Sequence, residues 1–216
     1  MLINGIDKAQ TIQPSVTRKA ENFNKESPII KKTEGDVFEK NTKNNILKDM
    51  NIWGFEPQKK GIISEEEILS HAKLFLSKFN NDLYGMLKPL GINTEQEIEL
   101  SVQAGSGKII VKNDHPDKEK IEKIFENHPE FGNEYRKITS MFEIYESGKE
   151  ALEFQKAYEK NQEEAVARYY YLFHTNLSAD ITFTSEGAEV DFTRTDKKSG
   201  SYVSDYQKAS YYISSK

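Results

Sequence analysis

The stretch SEEEILSHAKLFLSKFNNDLYGMLKPLG, residues 64–91, contains the strongest helix signal in this sequence. Ser64 followed by Glu67 is the pattern of a capping box, in which each side chain bonds the backbone amide of the other residue. Apolar residues then recur with the helical period of 3.6: Ile68, Leu69, Ala72, Phe75, Leu76, Phe79, Leu83, Met86 and Leu87. The stretch therefore predicts a central core helix from Glu65 to Lys88, ended by the proline and glycine that follow.

Two later regions alternate between apolar and polar residues, as half-buried strands do. The first contains Ile98, Leu100, Val102, Ile109 and Val111 around the turn Ala104–Gly107. Its glycines suit positive-φ turn positions, so a β-hairpin is expected. The second contains Leu177, Ala179, Ile181, Phe183, Val190 and Phe192, with a turn at Gly187, and Tyr202 to Ile213 can supply a last strand or an edge.

Helical patterns fill the region between these strands. Two begin at Pro116 and Pro129, since proline suits the first turn of a helix. Gly148 and Asn161 are the expected interruptions, and Tyr169 and Phe173 are expected to face the core one turn apart. Because helices and strands are segregated along the chain, the sequence predicts an α+β fold that is mainly helical, with an internal hairpin and a C-terminal antiparallel strand group.

The apolar periodicity begins only at Ile46. Residues 1–45 are mostly polar and are predicted to form a flexible tail, whereas residues 46–216 are predicted to form one compact α+β domain. At the junction, Ile46–Phe55 is strongly apolar and contains Trp53, the only tryptophan. We interpret this segment as a lid that packs on the core, with a docking peptide for a partner as the alternative.

Composition argues against several classes of function. The net charge of −5 opposes binding to DNA or to an anionic membrane, so neither a nucleic acid nor a membrane is an expected partner. No cysteine is present, which excludes disulfides and thiolate chemistry. With no apolar run long enough for a bilayer and no classical signal peptide, the expected location is the cytoplasm, with export by a non-classical route as the alternative.

No cofactor or metal motif is complete. Gly105–Lys108 resembles part of a phosphate loop, but Val102 and Ile109 stand where a glycine and a hydroxyl residue are needed. His115 and His128 each precede a proline at a helix start, where capping or solvent-facing roles are expected. We therefore expect neither a cofactor nor a metal.

Tyrosines are concentrated late in the chain, and a helix cannot turn all of Tyr169–Tyr171 toward one core. Exposed tyrosine is favourable at protein interfaces, so an interaction surface is one interpretation and amphipathic packing with solvated hydroxyls is the other. The candidate partner-binding residues are Tyr170, Tyr171, Tyr206 and Trp53.

Carboxylates near the last strands support an alternative function. Glu186, Glu189, Asp191 and Asp196 include pairs that can act as general acid and base in a hydrolase-type site, while turn and surface positions are their ordinary explanation. The hypothesis of an enzyme thus competes with that of an interaction protein, and a cleft with converging titratable groups would favour the enzyme.

The polar N-terminus, which begins MLINGI and is rich in Asn, Thr, Ser and Gln, resembles the unfolded export signals of flagellar and type III secreted proteins. The body resembles bacterial proteins of unassigned function. The lack of a complete catalytic constellation, the flexible tail and the late tyrosine cluster lead to our main hypothesis, a non-enzymatic interaction protein with a protein partner. The resemblances imply that it is bacterial and associated with the flagellum or with secretion. They assign no role to individual residues.

The division of the chain predicts its protease sensitivity. Limited proteolysis is expected to remove residues 1–45 and to leave a resistant fragment close to 46–216, because a segment without a packed core is cleaved fastest. Mass spectrometry of the time course identifies the fragment. Uniform protection of the first 45 residues would contradict the division.

Overall fold

A computed structural model of the chain describes residues 64–203, 206 and 210–214. These residues form an α+β fold, which confirms the predicted class. The helices are α1 (Glu65–Leu87), α2 (Lys118–Asn127), α3 (Pro129–Lys160), α4 (Gln162–Arg168) and α5 (Tyr171–His174), and the strands are β1 (Ile98–Val102), β2 (Ile109–Val111), β3 (Thr175–Thr184), β4 (Gly187–Asp196) and β5 (Ser210–Ser214). The predicted tail and the predicted lid lie outside the described residues.

Helix α1 begins and ends as its sequence predicts. Ser64 Oγ accepts a hydrogen bond from the Glu67 amide at 3.2 Å, and Glu67 Oε2 accepts one from the Ser64 amide at 2.8 Å. The helix tightens into a 3₁₀ turn at Lys88–Leu90 and stops at Gly91, whose φ of 66° is the left-handed conformation that glycine adopts easily. The capping box therefore fixes where the central helix enters the core.

The five strands form one antiparallel sheet in the order β2-β1-β3-β4-β5. Strands β3 and β4 pair along their whole length, from Thr175 with Asp196 to Thr184 with Gly187. Strand β1 pairs with β3 only at Ile98–Leu100 against Ile181–Phe183. The first half of β3 therefore extends beyond its neighbour on the β1 side.

Helices α1 and α3 pack against each other and against one face of this sheet. That face carries the alternating apolar residues Ile98, Leu100, Ile109, Val111, Ile181, Phe183, Val190 and Phe192, all buried. Phe79 of α1 stacks on Phe131 of α3 with 4.3 Å between ring centroids, and the Tyr135 hydroxyl donates to the Leu100 carbonyl at 2.6 Å. The opposite face is polar, and there Lys112 Nζ lies 2.7 Å from an Asp180 carboxylate oxygen.

Glycine is required at two turns of the sheet. Gly105 and Gly107, between β1 and β2, have φ values of 80° and 67°, which confirms the predicted positive-φ turn. At the start of β4 the reason is different, because a Cβ on Gly187 would collide with the Ile213 carbonyl oxygen of β5. The β4–β5 pairing therefore depends on the absence of a side chain at this position.

The expected interruption at Gly148 is wrong, whereas the one at Asn161 is confirmed. Helix α3 is 32 residues long and runs through Gly148 to Lys160 without a break. The Asn161 side chain then accepts a hydrogen bond from the Glu164 amide and caps the start of α4. A mid-helix glycine costs only about 0.5–1 kcal/mol, which contacts on both sides of it can offset. No helix among the described residues, α3 included, is both long and apolar enough to cross a membrane.

The expectation that Tyr169 and Phe173 both face the core is also wrong. Tyr169 is buried, but Phe173 is 52% exposed. Helix α4 stops at Arg168 and α5 starts at Tyr171, so the helical phase is reset between the two aromatic residues. Tyr170 is 58% exposed, which confirms that the tyrosine run cannot be wholly buried.

The burial of α1 predicts a large difference between two leucines on the same helix. Leu76→Ala is expected to destabilise the fold by about 2–5 kcal/mol, because Leu76 is fully buried and its truncation leaves a cavity. Leu74 is 65% exposed, so Leu74→Ala is the matched control and should cost no more than about 0.5 kcal/mol. Urea denaturation measures both, and equal losses would contradict the placement of α1.

Candidate functional site

A groove of about 610 Å³ lies between the second half of α3 and the start of β3. It opens beside the part of β3 that extends beyond β1. Its walls are mainly apolar and its charged residues are few. The lining residues are Glu143, Ile144, Ser147, Gly148, Glu150, Ala151, Phe154, Leu172, Phe173, Thr175, Asn176, Leu177 and Arg194.

Arg194 is the central polar residue of this groove. It lies on β4 in phase with the buried residues Val190 and Phe192, and only 4% of it is exposed. Its Nη1 donates to Thr175 Oγ1 at 2.9 Å, and its Nη2 donates to Glu150 Oε2. Its Nε is buried without a hydrogen-bond partner among the described residues. Two of the three guanidinium nitrogens are therefore satisfied within the protein.

Two tyrosines enclose this guanidinium. The ring centroids of Tyr171 and Tyr206 each lie 5.0 Å from Arg194 Cζ, so the cation contacts two aromatic rings that come from different parts of the chain. The Tyr171 hydroxyl also donates to Glu150 Oε1 at 3.3 Å. Burial raises the pKa of Tyr171 to about 12, so its hydroxyl stays protonated and remains a donor at neutral pH.

Glu150 is held by these same groups. Burial raises the pKa of its carboxyl group above the ordinary value, and the adjacent Arg194 charge opposes that rise. A buried ion pair whose partners are hydrogen-bonded is a rigid element, because separating the charges leaves each one desolvated. Glu150 and Arg194 therefore shape the groove and fix its floor.

A second ionic cluster lies one helical turn earlier on α3. The Glu146 carboxylate accepts from Lys149 Nζ at 3.0 Å and from the Tyr211 hydroxyl at 2.9 Å. Burial is the main cause that raises the pKa of Tyr211, to about 12. This cluster connects α3 to the edge strand β5, as the Glu150 cluster connects it to β4.

Glu143 completes the series of carboxylates on α3. Its Oε1 accepts a hydrogen bond from the Ala179 amide of β3 at 3.0 Å. Burial raises the pKa of this carboxyl group. Glu143 thus bonds β3 at the position that Val102 would face if the pairing of β1 with β3 continued past Leu100 and Ile181.

The structure brings together two of the four predicted partner-binding residues. Tyr171 and Tyr206 lie 6.2 Å apart, measured between ring centroids, around Arg194. Tyr170 instead contacts His174, with 4.0 Å between the ring centroids and 38° between the ring planes. Trp53 lies outside the described residues.

The carboxylates of the alternative hydrolase site are dispersed along β4. Glu186 precedes the strand and Asp196 ends it, about 30 Å apart at the usual rise of a strand, while Glu189 and Asp191 lie between them. Asp196 caps the next turn by accepting from the Ser199 amide at 2.7 Å. Within the described part of the chain, no group of three or more His, Asp or Glu residues is arranged to hold a metal ion.

The histidines at the helix starts have different surroundings. His115 is buried, and its Nδ1 accepts from the Asp117 amide at 3.1 Å, before the helix begins, so it neither caps α2 nor faces solvent as predicted. His128 is exposed and lies 3.2 Å from a Glu130 carboxylate oxygen. Neither lines the groove.

The residues that sequence reasoning missed are the buried charged ones. Arg194 continues the core-facing alternation of Val190 and Phe192, and Glu146 and Glu150 continue the i, i+4 row that contains Ile138 and Phe142. A charge in phase with a core must find an opposite charge or a hydrogen-bond partner. The position of these charged residues in phase with the core residues is therefore the sequence signal that could have identified them.

Comparison of the chain with protein-family models, with curated proteins and with solved structures finds no match.

The buried pair predicts a particular response to substitution. Arg194→Met should destabilise the fold by about 3–5 kcal/mol, because Glu150 is then left buried without its counter-charge. Adding Glu150→Gln should recover part of that loss, since no uncompensated charge remains. Urea denaturation of the parent, both single variants and the double variant gives the coupling energy. A double variant less stable than Arg194→Met would contradict the pairing.

Glu143 predicts a pH dependence. Because its pKa is raised in the folded protein, the folded state binds the proton more tightly, and stability contributed by this group falls as pH rises above 4.5 through the raised pKa. Glu143→Gln keeps an acceptor for the Ala179 amide and cannot ionise. Its free energy of unfolding should therefore fall less than that of the parent between about pH 5 and pH 8.

The matched control for this measurement is Glu153→Gln, which removes one negative charge from the exposed side of the same helix. Its pH profile should follow the parent. Parallel profiles for the parent and Glu143→Gln would show that the Glu143 carboxyl is not buried in the way described.

Proposed function

We propose that this chain is a non-enzymatic interaction protein that binds a protein partner at the groove between α3 and β3. The observation that carries the proposal is the apolar rim of this groove. Phe173 lines it and is half exposed, and the apolar side chains of Ile144, Phe154 and Leu172 line it as well. Large apolar side chains grouped at a concave surface are typical of binding sites.

The polar floor of the groove supports the same proposal. Arg194 and Glu150 are bound to each other and enclosed by Tyr171 and Tyr206, so their charges are engaged within the fold. A site of this kind is preorganised, which reduces the conformational entropy lost when a partner binds. Aromatic residues and arginine around a fixed groove are also the residue types that contribute most to protein interfaces.

The biological setting of the proposal comes from the N-terminal sequence. The polar residues after Met1 resemble flagellar and type III export signals, and an association with the flagellum or with secretion is therefore part of the proposal. A pull-down with the full chain and with a chain that lacks residues 1–45 would show whether this segment or the groove carries recognition.

A hydrolase is the second candidate, and one observation favours it. Glu143 and Glu150 line the same groove, and burial raises the pKa of both carboxyl groups, as in general acids. Glu150, however, is paired with Arg194, and Glu143 bonds the backbone of β3. The primary role of both residues is therefore structural.

Phe173, which lines the groove, and Tyr170, which lies three residues before it in the chain, provide the test of the leading proposal. Tyr170→Ala is expected to change the free energy of unfolding by less than about 1 kcal/mol, because the ring is exposed, and to weaken capture of a partner by the immobilised full-length chain. Phe173→Ser should weaken capture in the same way. Partner capture is read by quantitative mass spectrometry, and stability by urea denaturation.

Tyr212→Ala is the matched control, since Tyr212 is 61% exposed on β5, away from the groove. A partner of the groove should bind this variant as it binds the parent. Equal loss of capture in the Phe173 and Tyr212 variants would contradict binding at the groove, and unfolding caused by Tyr170→Ala would show that the tyrosine run belongs to the core.

A further inference from the structure

Within the described part of the chain, the start of β3 has no strand beside it on the edge that faces the groove. Pairing with β1 ends at Leu100 and Ile181, whereas β3 itself begins six residues earlier, at Thr175. On the other side, β4 pairs with β3 along its entire length. Among the described residues, then, β3 has a strand on both sides in its second half and on one side only in its first half.

The direction of the backbone groups follows from the pairing. The backbone amide of Lys112, the residue after β2, donates to the Glu99 carbonyl, so the backbone groups of Glu99 face β2. Because successive residues of a strand face opposite sides, the backbone groups of Leu100 face β3. Its partner Ile181 therefore faces β1, and by alternation Ala179 and Leu177 face the same way. The Ala179 amide is taken by Glu143, and the Leu177 backbone groups face the groove, which Leu177 lines.

The charges at this edge are unbalanced. Three residues with ionisable side chains line the groove, and the Arg194 cation is paired with Glu150. Glu143 then places a carboxyl group next to this edge, and its Oε1 is bonded to the described part of β3. A carboxylate in a partly buried site gains most from a cationic partner that can also donate hydrogen bonds.

The remaining walls are apolar. Ile144 and Phe154 come from α3, and Leu172 and Phe173 come from α5, so side chains on both sides of Glu143 can contact aliphatic or aromatic groups. The ring of Phe173 meets that of Phe154 nearly edge-on, with centroids 5.7 Å apart. An occupant that is basic at one position and apolar beside it therefore matches both components of the groove.

We propose that the groove binds an extended segment of the protein partner, which pairs with Leu177 on this edge of β3 and places a lysine or arginine side chain at Glu143. This inference rests on the proposed function and names the chemistry of its partner. Strand addition supplies affinity through backbone hydrogen bonds, and the alternate side chains supply specificity. An acidic segment is rejected, because its charge would lie beside Glu143.

The probe for this proposal is a displayed library of random octapeptides selected on the full-length chain. The expected result is enrichment of peptides in which lysine or arginine alternates with apolar, β-branched residues, without proline at the pairing positions. The best such peptide should bind Glu143→Gln about tenfold or more weakly, which corresponds to about 1.4 kcal/mol. It should bind Glu153→Gln as it binds the parent, and replacement of its basic residue by glutamate should abolish binding.

Two results would overturn the inference in different ways. Enriched peptides without a basic residue that lose affinity in Phe173→Ser would leave the groove as a protein-binding site and remove the role given to Glu143. Absence of any enriched peptide sensitive to Phe173→Ser would remove the groove site itself, and with it the proposed function.

A segment of this same chain, residues 46–55, is a competing occupant of the groove, since it is apolar and contains Lys48. It is tested with Trp53→Ala in the full-length chain. If a segment of this chain fills the groove, the variant should bind the selected peptide at least about tenfold more tightly than the parent. Tighter binding by the variant would overturn the proposal that a partner occupies the groove. Equal affinity of the variant and the parent for the peptide would support that proposal.

Discussion

The attachment of α3 to the sheet by carboxylates is the interaction on which the rest of the site depends. Up to Phe142 the helix packs through apolar residues, and beyond that point Glu143, Glu146 and Glu150 add hydrogen bonds to the sheet. Each bonds a different strand, namely β3, β5 and β4. Charged contacts of this kind are directional, so they fix the rotation and height of the helix above the sheet as well as its proximity.

This mode of attachment explains why a groove exists at all. Apolar side chains would draw the second half of α3 down onto β3 and fill the space between them. The Glu143 carboxylate, which accepts from the Ala179 amide, instead keeps the helix one side-chain length away from β3. The bond between Arg194 and Glu150 holds the helix to β4. The space that remains is bounded by α5, whose start at Tyr171 places Tyr171 against the guanidinium.

The fold was largely predictable from the sequence, and the site was not. The period of α1, its capping box and the alternation of β1 to β4 correspond to local physical rules, so the helix and strand assignments follow from neighbouring residues. The prediction for Gly148 was wrong because tertiary contacts stabilise α3 on both sides of this glycine. The prediction for Phe173 was wrong because the break between α4 and α5 changes the helical phase before this residue. Tyr171 and Tyr206 were identified by type alone, and only the long-range position of Arg194 gives them a common role.

The strand order also has a consequence for how the chain assembles. The β1–β3 pairing at the centre of the sheet joins Leu100 to Ile181 and Ile98 to Phe183, so it forms only after some eighty intervening residues have been closed into a loop. Contacts so distant in sequence slow folding, whereas α1 and α3 form from local interactions. During synthesis the apolar face of the β1–β2 hairpin must therefore rely on the helices for cover until β3 has emerged, and the two hairpins are joined at the centre of the sheet only late.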